Sequence, residues 1–150
     1  MRYVGLGFGN IRGEPNFENM KAWGMNNYYS QLGLYGQCTW FAWGRFYELY
    51  GYSPGFTGNG NQCVDQLVAV HPDKFEKSDT PKAGAVFSGV GHNHVGIVIA
   101  WDGTNITIQE GNIDGKTNTF QEAKTDWQTK TYTLAQLNSI YKGVVFANPK

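Results

Sequence analysis

The sequence predicts an α+β domain in which N-terminal helices pack on an antiparallel β-sheet. Three observations carry this expectation. Apolar side chains recur at helical spacing through residues 37–70, short apolar or alternating runs separated by turns fill residues 85–147, and no Pro/Ser-rich linker or internal repeat divides the 150 residues. A chain of that length is the usual size of one domain and can bury a sufficient core.

The first 30 residues scatter Gly5, Gly7, Gly9, Gly13, Pro15 and Gly24 among aromatics without a sustained period. They read as an irregular lead-in to a domain over residues 31–150. A helix is expected over 37–50, because Cys38, Phe41, Ala42, Phe46, Leu49 and Tyr50 fall near helical spacing and Gly51 stands where a left-handed cap belongs. After a loop rich in Gly, Asn61 is placed to cap a second helix, with Cys63, Leu67 and Val70 on one side and Pro72 as its stop. Past the turn at Pro81-Lys82-Ala83-Gly84, strands are expected over 85–88, 94–101, 105–110, 129–133 and 143–147. Asp102-Gly103 signals a hairpin between the second and third strands, and Thr133 caps a short helix over 134–141.

Composition narrows the function. Twelve basic residues balance twelve acidic ones, so the chain lacks the basic face that drives nucleic-acid binding. No apolar run approaches the roughly 20 residues of a bilayer span. The start, Met1-Arg2-Tyr3-Val4-Gly5, lacks the charged opening and apolar core of a secretory signal, so any export is encoded elsewhere. Twenty glycines, nine Phe, nine Tyr and five Trp, with many Asn, Gln and Thr, suit a surface that binds sugars or peptides. Two cysteines fall short of a disulfide framework and are read singly.

Cys38 opens the first helix, where exposed N–H groups and the positive end of the dipole favour a thiolate nucleophile. Cys63 also follows a glutamine in the first turn of a helix, and either thiol could instead be a small buried hydrophobe. Position alone does not rank them. A cysteine nucleophile needs a base, and the candidates are His71, His92 and His94. His71 precedes Pro72 at a helix end, which suits a solvated or capping role, whereas His94 opens an apolar strand that would hold its ring rigidly. His92 with His94 could be half of a metal site, but Asp and Cys partners at ligand spacing are missing, so metal is the weaker reading. Glu110 and Asn112 lie on the returning strand, two residues apart and hence on one face. A two-residue hairpin loop would set His94 opposite Gly111 and turn Glu110 to the other face. A longer loop or a bulge sets His94 opposite Asn112 with Glu110 diagonal on its own face, so a catalytic role for these residues predicts that second register.

The runs Tyr35-Gly36-Gln37-Cys38-Thr39-Trp40-Phe41, His94-Val95-Gly96-Ile97-Val98 and Gln109-Glu110-Gly111-Asn112, in that order, resemble the CHAP family of cysteine-dependent amidohydrolases and peptidases, and phage lysin catalytic domains among them. The resemblance covers about residues 30–148. It implies a papain-like fold of the CHAP and NlpC type, and it selects Cys38, which follows Gly-Gln and is trailed by aromatics. Carried over by position, it makes His94 the general base and acid, Glu110 its orienting partner, Asn112 a supporting polar group and Gln37 an oxyanion donor. Some members bind calcium through aspartates just before the cysteine. Here residues 26–31 contain no acid, so neither calcium nor any other cofactor is expected. The strand after Pro81 starts Gly84-Ala85, where many relatives place an aspartate.

The resemblance implies acyl transfer on bacterial peptidoglycan: cleavage of an amide bond as an endopeptidase or an N-acetylmuramoyl-L-alanine amidase. A phage endolysin or virion-associated lysin leads, acting on the cell wall from outside the cytoplasm, with neither nucleic acid nor membrane as partner and with any wall-binding domain or subunit lying outside this sequence. The alternatives are the catalytic module of a secreted autolysin and a non-catalytic module that binds wall glycan or peptide through its aromatics. An NlpC-type peptidase would support its histidine differently, and the Glu110-Gly111-Asn112 run argues against it.

Overall fold

α3 (Cys38–Tyr50) is the element on which the first half of the chain assembles. In the computed structural model, which describes residues 13–116 and 119–150, it is preceded by two single-turn helices, α1 (Met20–Trp23) and α2 (Tyr28–Gln31). α1 lies within the stretch expected to be irregular, and α2 begins in it and ends one residue beyond. Asn19 and Asn27 cap them through side-chain oxygens, and buried polar contacts then knit them to α3. Asn27 Nδ2 donates to Ala22 O and Trp40 O, and Trp40 Nε1 donates to Ser30 Oγ at 2.9 Å. Gly44 of α3 faces the Trp23 indole, which any Cβ there would overlap. The rest of the expected lead-in, residues 1–12, lies outside the described residues.

A 3-10 turn (Gly60–Gln62) runs straight into α4 (Cys63–Val70). The cap expected at Asn61 falls instead on Asn59, which forms a capping box with Gln62, while the Asn61 N–H donates to Asn93 Oδ1. Six strands follow: β1 (Phe75–Ser78), β2 (Val86–Gly89), β3 (His94–Trp101), β4 (Asn105–Gly111), β5 (Trp127–Thr133) and β6 (Val144–Pro149). Between β4 and β5 lies the single turn α5 (Phe120–Ala123), and α6 (Leu134–Tyr141) precedes β6. The strands pair antiparallel throughout, in the order β1-β6-β2-β3-β4-β5.

Alternation along the strands divides the core between the two faces of the sheet. Val86, Val95 and Ile97 pack with α1, α3 and α4, whereas Phe87, Val98 and Phe146 pack with Leu137 of α6. The sheet is therefore covered on both sides. Asp102-Gly103 does not form a two-residue hairpin turn. Asp102 Oδ1 accepts from the N–H groups of Thr104 and Asn105, so the chain reverses across residues 102–104 and Trp101 stands opposite Ile106. An irregularity at Ile99 then shifts the register by one residue, so that Val98 faces Ile108 and Ile97 faces Gln109. This is the register that keeps Glu110 on the His94 face.

α3 is tied to β4 by a buried cation. Arg45 Nε donates to Gln109 Oε1 at 2.8 Å, its Nη1 meets Glu48 Oε1 at 3.3 Å, and its Nη2 donates to Gly13 O. Burial raises the Glu48 carboxyl, against the lowering effect of the Asn16 N–H and Arg45. Arg45→Ala leaves that carboxyl and Gln109 without their partner, so urea denaturation should show a loss of about 3–5 kcal/mol. A loss under about 1 kcal/mol would show that water replaces the guanidinium freely.

Candidate active site

Cys38 is the first residue of α3, and Gln37 is its N-cap residue with extended backbone and a side chain that makes no cap hydrogen bond. The Gln37 amide is thus left free beside the thiol, and both line one cleft of about 320 Å3. His94 begins β3 on the sheet face that α6 covers. Its Nε2 bonds Glu110 Oε1 at 2.7 Å, with the two side chains 13% and 3% exposed. The Cys38 thiol is near enough to the imidazole to raise its pKa. His94, Glu110 and Asn112 line a second depression of about 240 Å3, so the thiol and the imidazole meet where two hollows adjoin.

The electrostatics follow from burial and partners. Burial disfavours the imidazolium, but hydrogen bonds and charges from Cys38 and Glu110 outweigh it and push the His94 pKa up to about 9. Burial raises Glu110, yet hydrogen bonds from His94, Gln128 and Tyr141 and the His94 charge leave it below the usual carboxylate value. The pair therefore rests as imidazolium and carboxylate at neutral pH.

Two of those donors were not among the candidates read from the sequence. Gln128 Nε2 on β5 donates to Glu110 Oε2 at 2.7 Å, and Tyr141 Oη at the end of α6 donates to Oε1 at 2.8 Å. The Tyr141 ring also stacks on the imidazole, with centroids 4.6 Å apart and planes 6° from parallel. Its carbonyl accepts from the N–H groups of Gly91 and His92, which steadies the loop leading into His94. Helical spacing and capping signals placed α6 but gave Tyr141 no partner, because the contact joins residues 47 apart in number, 94 and 141.

The remaining candidates fall in different places. Asn112 sits at a left-handed φ of 61°, and among the described residues its buried Oδ1 has no hydrogen-bond partner. Cys63 is wholly buried, hydrogen-bonded through Sγ to Asn59 O, and raised chiefly by desolvation. Both cysteines are free thiols. His71 Nε2 donates to Ser53 O at the C-cap of α4 and lines neither hollow, whereas His92, exposed beside the Tyr141 ring, lines the same hollow as His94. Among the described residues no group of three or more His, Cys, Asp or Glu side chains could hold a metal ion.

The profile of the CHAP domain matches residues 23–112. No curated protein matches the chain. Among solved structures, the chain is similar to an N-acetylmuramoyl-L-alanine amidase from Staphylococcus aureus, at 20% identity and a TM-score of 0.53 over 77% of this chain and 31% of that one. It is also similar to Ly7917, at 20% identity and a TM-score of 0.49 over 89% of this chain and 62% of the other. The chain thus spans under two thirds of either, and the amidase likeness is one of fold.

Tyr141→Phe keeps the stacked ring and removes one donor to Glu110. Since that bond lowers the Glu110 pKa, its loss should move the acid limb of any activity that needs the carboxylate to higher pH, with the rate down about fivefold and KM unchanged. An unmoved acid limb would reduce Tyr141 to packing.

Proposed function

We propose, from the premise that this chain belongs to the CHAP domain family, that it hydrolyses an amide bond of bacterial peptidoglycan by cysteine-dependent acyl transfer. Its setting on this reading is a phage endolysin or virion-associated lysin, and the bond is the muramoyl-alanine amide or a peptide bond of the stem or bridge. One observation carries the chemistry: His94 bonded through Nε2 to the buried Glu110 carboxylate at 2.7 Å, with the Cys38 thiol near enough to raise the imidazole pKa and lining the cleft next to the His94 hollow.

On this reading the Cys38 sulfur is the nucleophile and the His94 imidazolium stands beside it, the two forming the reacting pair. The Cys38 thiolate adds to the amide carbonyl, forming the S–C bond and driving the carbonyl electrons onto oxygen. That oxyanion is met by the free Gln37 amide and by the N–H groups at the start of α3. As the C–N bond breaks, His94 gives its proton to the departing amine, leaving a thioester and a neutral imidazole. Water then adds to the thioester while His94 takes a proton from it, and collapse releases the carboxylic acid and regenerates the pair. Glu110 holds one imidazole tautomer and balances its positive charge throughout. Asn112 lies at the hollow that would receive the amine, where it supports the site as a polar wall.

Cys38→Ala and His94→Ala should each abolish release of wall fragments, and the double substitution should be no worse than either, because the base has nothing to activate once the nucleophile is gone. Cys63→Ala and His71→Ala should leave turnover intact and act on stability by roughly 1 kcal/mol. Mass spectrometry of fragments from a defined wall reads both the loss and the bond cut. Clearing by Cys38→Ala protein would overturn Cys38 as the nucleophile, and wild-type protein that binds walls without releasing fragments would leave only a wall-binding module. The alkaline limb is expected near pH 9, where His94 loses the proton that the leaving amine needs. Glu110 helps hold that pKa up, so Glu110→Gln should move the limb to lower pH.

Because residues 26–31 carry no acid, chelation should leave the rate unchanged. Loss in EDTA with recovery on adding calcium would mean that ligands come from elsewhere in the fold.

A further inference from the structure

The cleft beside Cys38 has a polarity that the reacting residues do not explain. Besides Gln37, three carboxamides line it, those of Asn59, Gln62 and Asn93, and each of these three has its oxygen already taken by a backbone N–H. The Asn59 side-chain oxygen accepts from the Gln62 N–H in the capping box, and Gln62 Oε1 accepts from the Asn59 N–H at 2.8 Å. Asn93 Oδ1 accepts from the Asn61 N–H at 2.7 Å. A backbone donor can be met only by the oxygen end of an amide, so these bonds decide which end is left over. All three residues are exposed, and what each has free is an NH2 group with two donors. The described residues that line the cleft carry no ionisable carboxylate or basic group, and Leu32 and Leu34, 54% and 40% exposed, add apolar surface.

The two hollows also divide the substrate. His94 must reach the departing nitrogen, and it lines the hollow away from this cleft, so the acyl half of the substrate lies on the Cys38 side. We propose that this cleft binds the acyl half of the substrate as a carbonyl-rich, uncharged segment whose C=O groups accept from the NH2 groups of Asn59, Gln62 and Asn93. The assignment to the acyl half rests on the acyl-transfer reading above. An ammonium or carboxylate placed there would lose water without meeting an opposite charge, whereas the carbonyl of a peptide or of an N-acetyl group meets a fixed donor.

Asn93→Asp and Gln62→Glu keep the oxygen that the backbone N–H requires and replace the free donor by a second acceptor, so the local fold is retained. Asn93→Ala removes the donor without adding charge. Gln66→Glu is the control, because Gln66 Oε1 accepts from the Thr57 and Gly58 N–H groups in the same manner but does not line the cleft. With soluble muropeptides, KM should rise about fivefold in Asn93→Ala and on the order of tenfold in the acidic variants, with kcat held within about twofold. Gln66→Glu should match wild type in both. Alkylation of Cys38 by iodoacetamide, which depends on the thiol and imidazole alone, should proceed at close to the wild-type rate in every variant.

Titration of Cys38→Ala protein with a sugar-free stem peptide and, separately, with an N-acetylated disaccharide tells which source supplies the carbonyls. Binding of either that weakens with Asn93→Ala upholds the cleft even where wild-type protein cuts nothing, and in that case only the hydrolase reading falls. Unchanged KM in all three variants, a loss confined to kcat, or no binding of either ligand overturns the proposal, while hydrolysis by the wild type would stand.

Discussion

The buried charge of Glu110 is the constraint from which the arrangement of the site follows. A carboxylate 3% exposed has lost the water that ordinarily holds its charge, and burial alone drives it toward the neutral form. It remains ionised because donors converge on it from three elements: His94 from β3, Gln128 from β5 and Tyr141 from α6. Each donor is held in turn by the charge it satisfies. The orientation of the imidazole is thereby coupled to the far strand of the sheet and to the end of α6. That helix stops at Lys142, whose φ of 52° and the 100° of Gly143 turn the chain away just after Tyr141, leaving its ring over His94 and its carbonyl on the loop before it.

Cys38 is brought to this charge from the opposite face of the sheet, and the residues that follow it do the placing. Phe41 stacks on Trp127 at the start of β5 and meets Gly111 at the end of β4, where a Cβ would come within 2.6 Å of the Phe41 Cβ. Trp40 enters a cluster with Trp23, Tyr35 and Phe120. The helix start is pinned against the same strand ends that carry Glu110 and Gln128. The aromatic trail after the cysteine is thus a positioning device, and Gln109, beside Glu110, serves the same end by accepting from Arg45.

How much of this was legible in the sequence depended on how local each cause is. The bounds of β3 and α6 agree with expectation because an uninterrupted apolar run and a Thr-headed capping box are written into adjacent residues. The register of β3 on β4 was reached by requiring His94 and Glu110 to share a face, and the structure meets that requirement with the bulge at Ile99 rather than with loop length alone. β1 was not expected, since Phe75-Glu76-Lys77-Ser78 buries only its first side chain fully and becomes a strand by pairing with β6 at the sheet edge. α5, four residues long, has no period to read. Tyr141 and Gln128 were hidden for a different reason. Their local pattern fits a helix end and a half-exposed strand, and their part in the site exists only once three distant elements close on one carboxylate.

The same local devices that build the helices also give the groove its direction. The capping box at Asn59 and Gln62 satisfies the end of a helix, and in doing so it turns amide donors toward the cleft. Gly60, between them, lets this turn press on the His94 backbone, where a Cβ would lie 2.6 Å from the carbonyl carbon, so the donors stand next to the imidazole. The other hollow is walled by the Glu110 carboxylate and the rings of Tyr132 and Tyr141 together with His92, His94, Asn112 and Gln128. On the acyl-transfer reading these two chemistries match the two products. The acyl half is rich in carbonyl acceptors that the amide donors meet, and the departing nitrogen lies on the side where the proton on His94 reaches it. A substrate entering in reverse would set its departing nitrogen away from the proton on His94. Helix capping on one side and a buried charge on the other are therefore enough to favour one orientation of the scissile bond.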